Sequence, residues 1–326
     1  MSESDLFPIP DSRFPSLAFL FPGQGSQSLG MLADLADAHA AVRSTFEEAS
    51  AGAGVDLWAL SQDGPEADLN RTEFTQPALL AAGVAAWRAW LVAGGRVPAV
   101  LAGHSLGEYT ALVAAGAIGL ADAARLVRRR GQLMQEAVPE GVGAMAAVLG
   151  ADDALVEEAC REVSLGDAVV VPANYNSPGQ IVIGGHASAV DEVLALLVGR
   201  GVRKAVKLPV SVPSHTPLMR EAAARLGEAI ADCAWKEPAI PVVQNVDARI
   251  EKGVAAIQDA LVRQLHLPVR WTGCVGALLA GGTARVVECG PGKVLGGLAR
   301  RIDRSLEVCS LGSAADFEAA LDGWRA

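Results

Sequence analysis

The sequence predicts an α/β protein with a smaller unit inserted in its middle. Three observations point that way. Short apolar runs bounded by turn residues alternate with helix-like stretches, the rhythm of a sheet layered with helices. One central stretch orders its elements as βαββαβ, the ferredoxin-like pattern. At 326 residues, 51% hydrophobic and 20% charged, the chain is long enough for one large domain carrying an insert.

The elements follow in order. "SLAFLF" (16–21) and "PAVLA" (98–102) read as short buried strands, with "QPALLAAGVAAWRAWLV" the clearest helix between them. "GAMAAVLG" (143–150) reads as a strand and "DDALVEEACREV" (152–163) as a helix. "AVVVPANY" and "GQIVIGG" then form two strands around the turn signal "NSPG" (176–179). The helix "ASAVDEVLALLVGRG" and a strand in "VRKAVKLPV" complete the insert, and "ARVVEC" (284–289) returns to the larger sheet. The expected organisation is an N-terminal extension (1–15), a discontinuous core (16–137 and 211–312), a small subdomain (138–210) and a C-terminal helix or tail (313–326).

Composition narrows the function. A formal net charge of −10 argues against a general nucleic-acid or anionic-membrane binder. "MSESDLFPIPDSRFP" lacks the basic start and apolar stretch of a secretory signal. "PALLAAGVAAWRAWLVAGG" is alanine-rich and interrupted by Arg88, which suits a buried helix better than a membrane span. The five cysteines (160, 233, 274, 289 and 309) form no CxxC pair, and such a set fits reduced thiols in a cytoplasmic protein. Neither a cofactor nor a metal is expected, and the expected state is a monomer.

The chemistry centres on "GHSLGEYTA" (103–111). A serine between two glycines, entered by a strand and left through a helix, describes a tight turn that holds a nucleophile exposed. The helix N-terminus would aim free N–H groups at an oxyanion formed beside Ser105. Such a serine needs a base. Of the five histidines, His39 lies in a polar helical stretch, and His186 starts the insert's second helix; both read as structural. His104 adjoins the serine, but neighbours on a sharp turn usually point apart. His266 suits a surface loop. His215 stands in "LPVSVPSHTPLM", between Pro213 and Pro217 and ahead of a helix whose positive end would keep an imidazole neutral. A satisfied structural histidine is the other reading of His215.

"FPGQGSQ" (21–27) and "GPGKVLGG" (290–297) both lack phosphate-loop spacing. The first reads either as a glycine-rich turn or as a second oxyanion-donor loop. "RLVRRRGQLMQEAVPEG" (125–141) reads as a helix with a solvated basic face, from which one arginine turned inward would clamp a carboxylate.

"FPGQGSQSLGM", "GHSLGEYTALV", "RRRGQLMQEAVPEGVGAMAAVLG", "NYNSPGQIVIGG", "LPVSVPSHTPLM", "VVQNVDA", "LVRQLHLPVRW" and "ECGPGKVLGGLARRI" occur in that order. Together they closely resemble the bacterial malonyl-CoA:acyl carrier protein transacylases of type II fatty-acid synthesis, from about residue 16 to about 302. The resemblance implies an α/β-hydrolase-like core with the ferredoxin-like insert. It implies Ser105 as nucleophile, His215 as base, and the main-chain carbonyl of Gln264 as the group orienting His215. The oxyanion hole would be the backbone N–H groups of Gln24 and Leu106, and Arg130 would bind the substrate carboxylate. The implied partners are malonyl-CoA and phosphopantetheinylated acyl carrier protein, in a ping-pong reaction through a malonyl-serine. Lys204, Lys207, Arg300 and Arg301 are candidates for docking an acidic carrier, with solubilising surface charge as the plainer reading.

The departures from the family pattern are His266 and Leu267, the N-terminal extension and the tail after residue 303. Ser214 sits where modular synthase relatives distinguish acyl groups, with different flanking residues here. A serine thioesterase or esterase would share the elbow and the α/β core, but typically needs an acidic residue after the serine and a histidine near the C-terminus. A non-enzymatic binding module would have no use for nucleophile, base and oxyanion loops together.

Overall fold

The computed structural model describes residues 16–139, 141–164, 166, 168–210 and 212–325. The predicted extension, 1–15, lies outside the described residues. Among the described residues ten strands form two sheets: β1 (Ser16–Phe21), β2 (Val100–Gly103), β3 (Gly143–Leu149), β4 (Val170–Ser177), β5 (Gln180–His186), β6 (Lys204–Lys207), β7 (Val242–Gln244), β8 (Arg249–Ile250), β9 (Thr283–Glu288) and β10 (Glu307–Ser310). The larger sheet runs β10-β9-β1-β2-β7-β8, parallel except for β8 at its edge. The smaller runs β4-β5-β3-β6 with every pair antiparallel.

β1 shows why the larger sheet is a core. Successive side chains of a strand point to opposite faces, so a run apolar at every position must be covered twice. Leu17, Phe19 and Phe21 pack with the helices Thr72–Val92, Leu106–Ala114 and Leu120–Ala137. Ala18 and Leu20 pack on the other side with Trp271, Cys274, Val275 and Leu278 of helix Trp271–Ala280 and with Leu295 and Leu298. Helix Thr72–Val92 is buried nearly all round, as its composition demands. Among the described residues, no helix is long and apolar enough to cross a membrane.

The smaller sheet is built in the order β3, helix Asp153–Val163, β4, β5, helix Ala187–Gly199, β6. Its Ala144, Ala146, Val148, Ile181 and Ile183 pack against these two helices. The opposite face carries Met145, Ala173 and Val182, with Leu208 against them. β4 is joined to the core by two backbone bonds, Tyr175 N–H to the Val269 carbonyl and Val269 N–H to the Ala173 carbonyl, both 2.9 Å.

Candidate active site

β2 and helix Leu106–Ala114 meet in a turn that admits no side chain on either flank. A Cβ on Gly103 would lie 1.9 Å from the Gly107 carbonyl, and one on Gly107 would lie 2.0 Å from the Phe21 carbonyl. Between them Ser105 is held at φ 53°, ψ −106°, a region that non-glycine residues seldom occupy. Asn245, just after β7, spans this turn. Its Oδ1 accepts from Ser105 N–H at 2.7 Å, and its Nδ2 donates to the Gly103 carbonyl at 2.7 Å.

Ser105 Oγ lies 2.8 Å from His215 Nε2, and His215 Nδ1 lies 2.7 Å from the main-chain carbonyl of Gln264. The carbonyl can only accept, so Nδ1 carries the proton and Nε2 is left to receive one from the serine. His215 is itself at φ 62°, and its N–H donates to the Leu265 carbonyl at 3.0 Å. Burial first, and the positive charge of Arg130 second, push its pKa down to about 3. The sequence pointed instead to the positive end of the following helix. A three-residue 3₁₀ turn, Pro217–Met219, intervenes before helix Arg220–Ala231, and burial is the leading cause.

Four arginines stand on helix Leu120–Ala137, and one of them enters the site. Arg125 pairs with Asp122, Arg128 donates to the Ala53 carbonyl, and Arg129 pairs with Glu136. Arg130 is fully buried, with acceptors in Gln76 Oε1 at 2.8 Å, Gln264 Oε1 at 3.0 Å and Ser105 Oγ at 3.2 Å. Its guanidinium sits 5.4 Å from the centre of the Tyr109 ring. Gly131 makes this possible, since a Cβ there would lie 2.6 Å from Glu73 Cα; the close helix approach puts Gln76 beside Arg130. The sequence did carry a signal for this arginine. Ala123, Val127, Arg130 and Met134 recur at helical spacing on the buried stripe.

The structure brings Ser105, His215, Arg130 and Gln264 into one hydrogen-bonded group. Leu106 N–H and Gln24 N–H make no hydrogen bond with any described residue. Gln24 itself is exposed, with its side chain on Thr72 Oγ1 at 3.2 Å. Its loop is held against the elbow at Gly23, where a Cβ would lie 2.5 Å from the His104 carbonyl. Of the other histidines, His104 turns away from the serine to Asn176 Oδ1 at 2.8 Å. His186 Nδ1 accepts from Val169 N–H, His39 stacks on Phe317, and His266 ends helix Val254–His266. Among the docking candidates, Lys207 is paired with Asp191, Arg300 donates to the Val308 carbonyl and Arg301 to Gln180.

Sequence reasoning missed Gln76, Glu108, Asn176 and Asn245. Glu108 is fully buried, and its Oε2 accepts from Asn245 N–H and Gln264 Nε2, both at 2.9 Å. Gln264 Nε2 also donates to the Ser105 carbonyl at 2.9 Å. Burial raises the Glu108 pKa to about 7.

The known proteins define first a class. The acyl transferase domain family model matches residues 18–309, which takes in every residue of the group around Ser105 and all but the outer ends of β1 and β10. The malonyl CoA-acyl carrier protein transacylase of Salmonella typhimurium is 54% identical over 304 residues, covering 93% of this chain and 98% of that protein. That of Bacillus subtilis is 41% identical over 305 residues, covering 94% and 96%. The crystal structure of the malonyl-CoA:acyl carrier protein transacylase from Xanthomonas oryzae pv. oryzae superposes with a TM-score of 0.94 at 68% identity, covering 95% of this chain and 99% of that one. A malonyl-transacylase solved in complex with its holo type II polyketide acyl-carrier protein gives 0.93 at 51%, covering 94% and 99%. The chain belongs to the malonyl CoA-acyl carrier protein transacylase family.

Proposed function

We propose that the chain moves the malonyl group of malonyl-CoA to the phosphopantetheine thiol of acyl carrier protein, through a malonyl ester on Ser105, for fatty-acid elongation. One observation carries this most directly. Arg130 holds a buried guanidinium 3.2 Å from the nucleophile, with no carboxylate at ion-pair distance among the described residues. A buried charge without an opposite partner costs several kcal/mol, and malonyl supplies that partner.

In this reading Ser105 Oγ attacks the thioester carbonyl while its proton passes to His215 Nε2. The N–H groups of Gln24 and Leu106 receive the oxyanion. The C–S bond breaks, and His215 returns the proton to the departing CoA thiolate. The carrier thiol then repeats the sequence in reverse, with His215 taking its proton. Gln264 orients the imidazole through its main-chain carbonyl, a role that hydrolases of similar architecture give to a carboxylate. Since Arg130 lowers the His215 pKa, a malonyl carboxylate on Arg130 would restore some of that basicity.

The domain plan belongs to the same proposal. The larger sheet with its elbow serine supports an α/β-hydrolase-like core, residues 16–137 and 211–312. The antiparallel order β4-β5-β3-β6 with two helices on one face supports a ferredoxin-like subdomain, 138–210, and helix Ala314–Arg325 occupies the C-terminal stretch. Five free thiols support a reducing, cytoplasmic setting. Isotope exchange tests the mechanism. Labelled CoA should pass into malonyl-CoA with no carrier protein present; exchange that requires the carrier would rule out the ester intermediate.

A further inference from the structure

Arg130 brings its charge into the core among neutral acceptors only: two glutamine side-chain oxygens and the serine hydroxyl. A compensating charge stands one amide away. Arg130 can only donate, and an ionised carboxylate can only accept. The Gln264 amide between them therefore has a single workable orientation, with Oε1 toward Arg130 and Nε2 toward Glu108 Oε2. The amide spacer matters. A carboxylate placed directly on the guanidinium would occupy the position that a substrate carboxylate needs, whereas Glu108 offsets the charge and leaves that position open.

We propose that Glu108 is a positioning residue that sets acyl specificity: it is the counter-charge of Arg130 in the empty site, and it takes up a proton when the malonyl carboxylate arrives. This rests on the malonyl-transfer reading above. Two carboxylates cannot both stay ionised cheaply around one guanidinium in a dry site. Glu108 is the one able to yield, because its Oε2 holds both hydrogen bonds while Oε1 is buried and has no partner among the described residues. Oε1 is thus the seat for the proton.

The surrounding groups leave Glu108 to titrate alone near neutrality. It faces Arg130, Asp247, Tyr109 on its own helix and Cys274 from helix Trp271–Ala280. Burial lifts Tyr109 to about 12 and raises the Cys274 thiol, so both stay neutral. Arg263 holds Asp247 below its ordinary value and ionised. Burial keeps His215 and His104 uncharged.

The acylation step itself balances without Glu108. The ester C–O bond forms, the C–S bond breaks, and the serine proton ends on the CoA thiol. A proton bound by Glu108 comes from water and appears as net uptake. The test acylates the wild-type enzyme near pH 7.5 in weak buffer with a pH indicator, using malonyl-CoA and acetyl-CoA in parallel so that thiol ionisation cancels. Proton uptake should accompany malonyl alone. The ratio of kcat/KM for malonyl over acetyl should rise about tenfold from about pH 8 to about pH 6, as expected for removal of one repelling charge. In Glu108→Gln the uptake should vanish and the ratio become independent of pH. Equal uptake with both acyl groups, or none with malonyl, would overturn the proposal. So would the same pH-dependent ratio in Glu108→Gln. Should that variant fail to fold, the two wild-type readouts decide. Arg130→Ala separates the layers. Retained malonyl preference there removes the Arg130 clamp on which this proposal rests; lost preference there, with no uptake in the wild type, overturns the role of Glu108 alone.

Discussion

The core sheet and the small antiparallel sheet both reach the elbow, with unlike surfaces. From the core come Ser105, His215, Arg130, Gln264, Glu108 and Asn245, linked by buried and partly buried hydrogen bonds of 2.7–3.2 Å. From the small sheet comes a mostly apolar face, with Met145, Ala173 and Val182. It touches the site through neighbours of the key residues. Asn176 meets His104, and Gly184 faces the Thr216 side chain, to which a Cβ would come within 3.0 Å. The polar and charged groups thus sit in one densely bonded network on the core side, while the small sheet meets it through an apolar face and single contacts.

Substitutions sharpen or break that contrast. Ser105→Ala should abolish covalent acylation and lower turnover on the order of 10³-fold or more; persistent label on the variant, seen by intact-protein mass spectrometry, would contradict the assignment. Arg130→Ala should lower the malonyl-over-acetyl ratio of kcat/KM on the order of 10²-fold, about 3 kcal/mol for a buried carboxylate left unpaired. An unchanged ratio would remove the clamp.

Asn245→Ala comes next. It strips partners from Ser105 N–H and the Gly103 carbonyl, so denaturant melts should show about 1–3 kcal/mol lost. Turnover should fall about tenfold for both acyl groups as the strained serine relaxes. The smallest effect is expected on the other wall. Asn176→Ala should cost about 1 kcal/mol of stability through its bond to His104 and leave the acyl ratio within about twofold. A large selectivity change there would mean that the small sheet reads the acyl group.

These contrasts also explain what was legible in the sequence. An apolar run such as β1 announces burial on both faces wherever it occurs, because the reason is local. The elbow was legible for the same reason: its two glycines answer clashes within a few residues and with the adjoining strand. Strand limits moved by a residue or two, as with β2 at Val100–Gly103 against 98–102, since hydrogen bonding to neighbours decides where pairing stops. Arg130 could have been picked from its neighbours by helical spacing. Glu108 and Asn245 could not. Their bond joins residues 137 apart in the chain, and a glutamate on a helix or an asparagine after a strand ordinarily faces water. The pairing exists only after the core has closed.

Under the proposed function, Ser105 stores malonate for a second thiol. The direct measurement is a single-turnover chase: enzyme acylated with labelled malonyl-CoA, freed of excess substrate, and offered holo acyl carrier protein. The label should leave Ser105 for the phosphopantetheine thiol far faster than it appears as free malonate. Prompt release of free malonate at a rate indifferent to the carrier would mean that water is the acceptor, and would contradict the account.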